Sequence, residues 1–206
     1  MTQIRALFLD VGGVLLTNGW DTALRKKTAE HFNVNYEKMD TRHRLYFNVY
    51  EIGKLTIDEY LTITFFFDPP SFTISELKSF IFNSVRPYSE MIEYVKELKE
   101  EHGLKIAIVS NEGKELVIDR FTRFDFSSFV DFYIVSSFVG YRKPDPDIYK
   151  LAIDVAQIPP KHILYIDDRE LLAEAGRAHG LQAIHHTDLA STKQAIEKLF
   201  SLPTSV

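Results

Sequence analysis

The 206-residue chain contains no cysteine. That absence excludes a disulfide framework, a thiolate nucleophile and a Cys-ligated zinc, and it fits a reducing, cytoplasmic setting, which is where the protein is expected. An excess of positive charge is also missing. With 24 Lys+Arg against 29 Asp+Glu the net charge is −5, so the global field does not draw in a phosphate backbone, and no nucleic-acid partner is expected. Nor is there an apolar run of the roughly 18 residues needed to cross a bilayer. Arg5 followed by Ala6-Leu7-Phe8-Leu9 and Val11 to Leu16 imitates a secretion signal, but Asp10 interrupts it and no small-x-small cleavage site follows. A carboxylate is costly in lipid and natural at the tip of a buried strand. The chain is read as soluble, with no membrane partner. What the composition does supply is ordinary globular usage, 45% apolar and 26% charged, in a length suited to one core with an inserted module.

Five short, continuously apolar runs predict strands at Ile4–Leu9, Leu104–Val109, Phe132–Val135, Ile163–Ile166 and Leu181–Ile184. Lack of alternation is what a parallel sheet covered on both faces requires. Helical stripes separate several of them: Met91, Tyr94, Val95 and Leu98, closed by Gly103; Ile148, Leu151, Ala152 and Val155; and Leu171, Leu172, Ala175 and Ala178 before Gly180. The alternation predicts an α/β Rossmann-like, doubly wound parallel sheet core. Residues 17–87 break the rhythm with helical patterns alone, at Asp21–Phe32 and Tyr36–Glu51 and after the capping boxes Thr56-Ile57-Asp58-Glu59 and Thr73-Ile74-Ser75-Glu76. The expectation is a core of residues 1–16 and 88–206 with an inserted helical-bundle cap over 17–87. Phe65-Phe66-Phe67-Asp68-Pro69-Pro70 is read as bundle core and a proline turn rather than a lid surface.

In open α/β sheets ligands sit at the carboxyl ends of the strands. The first strand ends in Leu9-Asp10-Val11-Gly12-Gly13-Val14 and the second in Val109-Ser110-Asn111-Glu112-Gly113. After the third comes Gly140-Tyr141-Arg142-Lys143-Pro144-Asp145-Pro146, and the fourth ends in Tyr165-Ile166-Asp167-Asp168-Arg169-Glu170. Each tip alone reads as ordinary structure: a Gly turn, a Ser/Asn helix cap, a solvated loop, and acids favouring a helix N-terminus. Together they converge a carboxylate, a hydroxyl, an amine and a carboxylate pair on one patch. Three acids repel unless a cation lies among them, and Mg²⁺ is held by such oxygens with a phosphate completing its shell. The hydroxyl and the ammonium are donors suited to phosphate oxygens. The set points to phosphoryl transfer.

With these four groups in order, the chain resembles the haloacid dehalogenase-like (HAD) hydrolase superfamily over essentially its whole length, in the branch with a helical cap inserted after the first strand. Tyr50-Glu51-Ile52-Gly53-Lys54-Leu55-Thr56-Ile57-Asp58-Glu59-Tyr60 also resembles a helix-turn-helix common in these caps. The resemblance implies that Asp10 is the nucleophile, forming an aspartyl phosphate that water hydrolyses. Ser110, with the amide of Asn111, then binds the phosphoryl group, and Lys143 steadies nucleophile and phosphate. It also implies a Mg²⁺ site formed by Asp10, the carbonyl of Gly12 and Asp168, with Asp167 nearby or acting through water. The expected substrate is a small phosphorylated metabolite, possible sugar phosphates among them.

The departure from the family lies at Gly12. Most of its phosphatases read Asp-x-Asp, the second Asp protonating the leaving oxygen and then deprotonating the water. Such acid–base catalysis contributes about 10²–10⁴-fold. Three outcomes stay open: a leaving group good enough to depart with help from water, as a sugar 1-phosphate is; a proton from a cap residue, with His31, His43 and Tyr46 as candidates; or a nearly inactive protein that binds or regulates. The founding dehalogenases also lack the second Asp, so a 2-haloacid dehalogenase is a further alternative, opposed by the Asp167-Asp168 pair, since those enzymes need no metal. Leu172 replaces a polar residue of many relatives and is expected to pack against the sheet. His185-His186 lack helical i, i+4 ligand spacing and are read as loop histidines. The series Phe121, Phe124, Phe126, Phe129 and Phe132 is read as packing. Trp20 is placed either at a hinge or on the pocket wall.

Overall fold

Strand β1, Ala6–Leu9, is buried along its whole length, and every further strand is laid down around it. In the computed structural model, which describes residues 3–200, β2 (Lys105–Ser110), β3 (Phe132–Val135), β4 (Ile163–Asp167) and β5 (Gln182–His185) join it in one parallel sheet of order β3-β2-β1-β4-β5. Residues 1, 2 and 201–206 of the expected core segment lie outside the described residues. The five expected runs fall within two residues of these strands. The chain leaves β1 for β2 and β3, then returns past β1 to β4 and β5, so the winding reverses beside β1. A reversal of this kind opens a crevice at the carboxyl ends of the two central strands.

Successive strand residues point to opposite faces, and here both faces are apolar. Leu7, Leu9, Ile106, Ile108, Leu164 and Ile166 pack in one cluster with Met91, Val95 and Leu98 of α5 (Ser89–His102) and Ile196 of α10 (Leu189–Phe200). Phe8, Ala107, Val109 and Tyr165 pack on the other face with Ile148, Tyr149 and Ala152 of α8 (Pro146–Ala156). Helix α5 ends at Gly103 in the left-handed region, as its sequence predicts. The stripe expected for α9 (Glu170–Ala178) is rotated by one position. Leu172, Ala173 and Gly176 are buried while Leu171 and Ala178 face solvent, because the helix meets the sheet on that edge. On α8, Val155 is likewise exposed.

Between β1 and α5 the chain forms α1 (Thr22–His31), α2 (Tyr36–Glu51), α3 (Ile57–Phe65) and α4 (Ile74–Asn83). Both capping boxes are present, each Thr side chain accepting from the third backbone N–H while the Glu reaches back to the cap. These helices share a separate apolar cluster in which Met39, Tyr50, Tyr60, Phe65, Leu77 and Ile81 are buried; Phe66 and Phe67 pack against it half-buried. The segments that enter and leave this helical stretch lie side by side. Leu16 bridges Pro87 in antiparallel fashion, and the Thr17 N–H donates to the Arg86 carbonyl at 2.8 Å. Phe126 and Phe129 are core, with Phe121 and Phe124 packed against the same cluster and Phe132 against the cluster on the other face of the sheet.

Candidate active site

Asp10 follows the last residue of β1, and its N–H donates to the Ile166 carbonyl of β4 at 3.0 Å, which aims its side chain into the crevice. The chain then turns tightly through Gly12 and Gly13. Gly13 adopts φ +78, and a Cβ there would lie 2.2 Å from Asp168 Oδ2, so only glycine lets the turn pass under that carboxylate. At the end of β2, Ser110 Oγ donates to Asp10 Oδ1 at 2.6 Å. The loop after β3 and α7 (Ser136–Val139) brings in Lys143. Its Nζ stands 3.1 Å from Asp10 Oδ1, 2.6 Å from Asp167 Oδ2 and 2.9 Å from the Tyr165 hydroxyl. Lys143 is 1% exposed, not the surface charge that a solvated loop implies.

Asp167 is fully engaged. Its Oδ2 accepts from Lys143 and from the Tyr165 hydroxyl, and its Oδ1 accepts from the Arg169 N–H at 2.9 Å. Asp168 is not: Oδ2 accepts from Asn18 Nδ2 at 3.2 Å, while Oδ1 is buried without a partner. Oxygens of Asp10, Asp167 and Asp168 all lie within 4.8 Å of one another, the one such cluster among the described residues. One ammonium balances three carboxylates, and one buried oxygen stays orphaned. A hard divalent cation with oxygen ligands fits that donor set. The charges respond accordingly. Burial pushes the Asp10 pKa up, Lys143 offsetting only part. At Asp167 burial also acts upward, but Lys143 together with the Tyr165 hydroxyl and the Arg169 N–H outweighs it and the pKa falls. Burial would lower the Lys143 pKa, yet Asp10 and Asp167 reverse this and raise it.

Asp10, Gly12, Ser110, Asn111 and Lys143 line a cavity of about 80 Å³, with Leu172 and Trp20 also in its wall. Trp20 Nε1 donates to the Tyr60 hydroxyl at 2.7 Å, so this side chain ties the wall to the helical cluster. Asp167 and Asp168 do not line the cavity and meet Asp10 from the β4 side. Asn111 is no helix cap. The N-cap of α6 (Lys114–Arg123) is Gly113, and the Asn111 side chain bonds the Lys143 main chain instead. The three cap residues offered as proton donors are not in the wall. His31 stacks on Phe80, Tyr46 is surface-exposed, and His43 is buried against the Tyr60 hydroxyl at 2.7 Å. Burial, with Arg25 adding, pushes the His43 pKa down to about 4. His185 is the last residue of β5 rather than a loop residue and bonds the Asp168 carbonyl oxygen, while His186, just past the strand, bonds Thr192.

Several wall residues have no role in a reading of the strand tips: Asn18, Asp21, Glu51 and Arg120 lie outside those segments, and Glu112 and Arg169 lie within them but are not singled out. Arg120 and Glu112 form a buried ion pair. Glu51 ends α2 and pairs with Arg142 Nη2 at 2.7 Å. One sign of Arg120 was legible, since it follows Leu116 by four residues and Val117 by three and so falls on the same, buried face of α6. Burial raises both carboxyl pKa values, that of Glu112 to about 7 despite Arg120.

A sequence model of haloacid dehalogenase-like hydrolases matches residues 4–180. A phosphorylated carbohydrates phosphatase of Thermotoga maritima is 25% identical over 96 residues, 47% of this chain and 43% of that protein. A bifunctional epoxide hydrolase 2 of Rattus norvegicus is 28% identical over 137 residues, 64% of this chain and 24% of that protein. The chain thus spans less than half the length of these curated relatives. Among solved structures, the HAD family enzyme bt-2542 of Bacteroides thetaiotaomicron superposes with a TM-score of 0.80 at 18% identity, covering 93% of this chain and 99% of that one. Its complex with magnesium and inorganic phosphate superposes at 0.76 and 17% identity, covering 92% and 98%.

Proposed function

The chain belongs to the haloacid dehalogenase-like hydrolases, and from that premise we propose that it is a Mg²⁺-dependent phosphatase of small phosphorylated metabolites. The observation that carries this reading is Asp10, whose Oδ1 takes both Ser110 and Lys143 while Oδ2 accepts from neither. Ser110 and Lys143 orient the carboxylate for in-line attack on phosphorus, and the Lys143 ammonium offsets the repulsion between two anions. The carboxylate displaces the alcohol and becomes an aspartyl phosphate, which water cleaves to regenerate Asp10. The Ser110 hydroxyl and the Asn111 amide hold the transferring group. Asp10, the Gly12 carbonyl and Asp168 would hold Mg²⁺, with Asp167 occupied by Lys143 behind them; when bound, the ion neutralises charge on the phosphate oxygens. The magnesium and phosphate complex of the Bacteroides enzyme and the name of the Thermotoga protein support the choice of ion and substrate class.

Residues 17–87 act in this reading as a cap on a core of 1–16 and 88–206, with Trp20, Phe47 and Glu51 facing the phosphoryl site from the cap side. At roughly 10–15 Å³ per water, a cavity of about 80 Å³ holds about five to eight water molecules. A site this narrow favours small esters, sugar phosphates among them, over large ones. Phosphate release from a panel of phosphorylated metabolites with Mg²⁺ present tests the proposal, with Asp10→Asn as the inactive reference. Gly12 favours a second reading, a protein that binds phosphate without turning it over. The same panel decides between them, because binding by calorimetry with no release above background would support the second. A 2-haloacid in the panel covers dehalogenation.

A further inference from the structure

Position 12 has no side chain, yet the space beside it is taken. A Cβ built on Gly12 would meet Asn18 Oδ1 at 2.9 Å, so the end of the Asn18 side chain would have to give way, and the next nearest atoms, at 3.9 Å, also belong to Asn18. Asn18 is exposed, and one hydrogen bond places it there. Its Nδ2 donates to Asp168 Oδ2 at 3.2 Å, which spends the amide nitrogen on the acid cluster and turns the amide oxygen toward Gly12. The same side chain lines the cavity with Asp10, Ser110 and Lys143. We propose that Asn18 fills the place of a residue-12 side chain and serves as a positioning residue for the group that enters or leaves opposite Asp10. This rests on the phosphatase reading of the site.

An amide neither gives nor takes a proton at ordinary pH. It holds one in place. In the hydrolytic half-reaction the water oxygen forms a bond to phosphorus while the bond from phosphorus to the Asp10 oxygen breaks. Its electron pair returns to the carboxylate, and both protons leave on the product as H₂PO₄⁻. Asn18 Oδ1, accepting from one O–H of that water, fixes its direction of approach without a base. In the first half-reaction the alcohol departs as an alkoxide and takes its proton from solvent: the place beside Gly12 holds only the Asn18 amide, and of the carboxyl groups in the cavity wall other than Asp10, Asp21 caps α1 while Glu51 and Glu112 are paired with Arg142 and Arg120. The consequence is a substrate class. Esters whose leaving group is more acidic than an ordinary alcohol, such as hemiacetal, enol and aryl phosphates, turn over, and primary alkyl phosphates lag far behind.

Four forms of the protein test this: wild type, Asn18→Ala, Gly12→Asp, and Gly12→Asp with Asn18→Ala. Thermal melting and kinetics on an aryl and a primary alkyl phosphate are read for each. Asn18→Ala is expected to lower kcat on the aryl ester roughly tenfold to a hundredfold with KM little changed, the signature of lost orientation. Its Mg²⁺-dependent rise in melting temperature should persist, since Asp168 remains. Gly12→Asp alone should melt lower than wild type, and adding Asn18→Ala should recover most of that loss by vacating the space. The double variant, with a carboxyl in that place, should narrow the aryl-to-alkyl rate ratio at least tenfold. Unchanged kcat in Asn18→Ala, or no recovery of melting in the double variant, overturns the inference. If wild type hydrolyses no phosphate ester at all, the phosphatase reading fails instead, and the melting cycle still decides whether Asn18 holds the place of a side chain at 12.

Discussion

Asn111 grips the peptide of Lys143 from both sides. Its Nδ2 donates to the Lys143 carbonyl at 2.9 Å, and its Oδ1 accepts from the Lys143 N–H at 2.7 Å. A residue at the tip of one strand thereby fixes the main chain of the ammonium carried by a distant loop. Buried backbone groups left without partners cost about 1–3 kcal/mol. Asn111→Ala is expected to lower both melting temperature and kcat, the latter by about tenfold or more, as Lys143 drifts from Asp10. Asn111→Asp should be worse, because its carboxylate faces the Lys143 carbonyl. Paired melting curves and steady-state kinetics check both.

Lys143 is the counter-ion of two buried carboxylates at once. Removing one partner of a buried charge set costs about 3–5 kcal/mol, because the remaining charges are stranded. Lys143→Met is therefore expected to destabilise by about that amount and to abolish turnover. Chemical denaturation reads the first effect and phosphate release the second.

Asp10 presents the opposite balance, since burial disfavours its charge. Asp10→Asn should eliminate activity without lowering the melting temperature. A fall of several degrees would show that the carboxylate is structural.

Asp168 Oδ1 is the orphaned acceptor of the cluster. Millimolar Mg²⁺ should raise the melting temperature through preferential binding to the native state, and a chelator should reverse the rise. Asp168→Asn should abolish it. A stabilisation that survives Asp168→Asn would move the ion elsewhere.

Glu112 provides a pH signature. Burial first, with Asp10 and Glu51 adding and Arg120 opposing, lifts its pKa from 4.5 to about 7. The native state then binds an extra proton between those values. Its contribution to stability is full below about pH 4.5 and is lost as pH rises through 7. At about 1.36 kcal/mol per pH unit the loss is roughly 3 kcal/mol. Glu112→Gln, which cannot titrate, should gain on wild type by that order between pH 4.5 and 7 and run parallel to it above. Denaturation at a series of pH values checks the sign.

The sheet was legible because burial on both faces leaves a mark in the chain, five continuous apolar runs, and because caps and glycines write helix ends locally. The candidate site was legible to the extent that its groups sit at strand tips: Asp10, Ser110, Lys143 and Asp168 need only the rule that ligands gather there. The proton donors sought in the cap were misplaced for the converse reason. His31, His43 and Tyr46 have suitable chemistry, but which face of α1 or α2 meets the crevice is set by tertiary packing. His43 turned inward to Tyr60, His31 lies exposed against Phe80, and Tyr46 faces solvent.

From its residues alone the chain determined a parallel α/β core, a helical stretch between its first two strands and an acid-rich cluster that calls for a cation. Periodicity and short-range capping act over a few residues, so they can be read in one dimension. Only tertiary structure decided that Asp167 is spent on Lys143 while Asp168 keeps a free oxygen, and that Asn18, 150 residues from Asp168, stands where Gly12 has nothing. Those outcomes depend on β1 lying between β2 and β4 and on the turn through Gly13 passing under a carboxylate. Strand order and close approach of that kind are properties of the folded chain, with no local pattern to announce them.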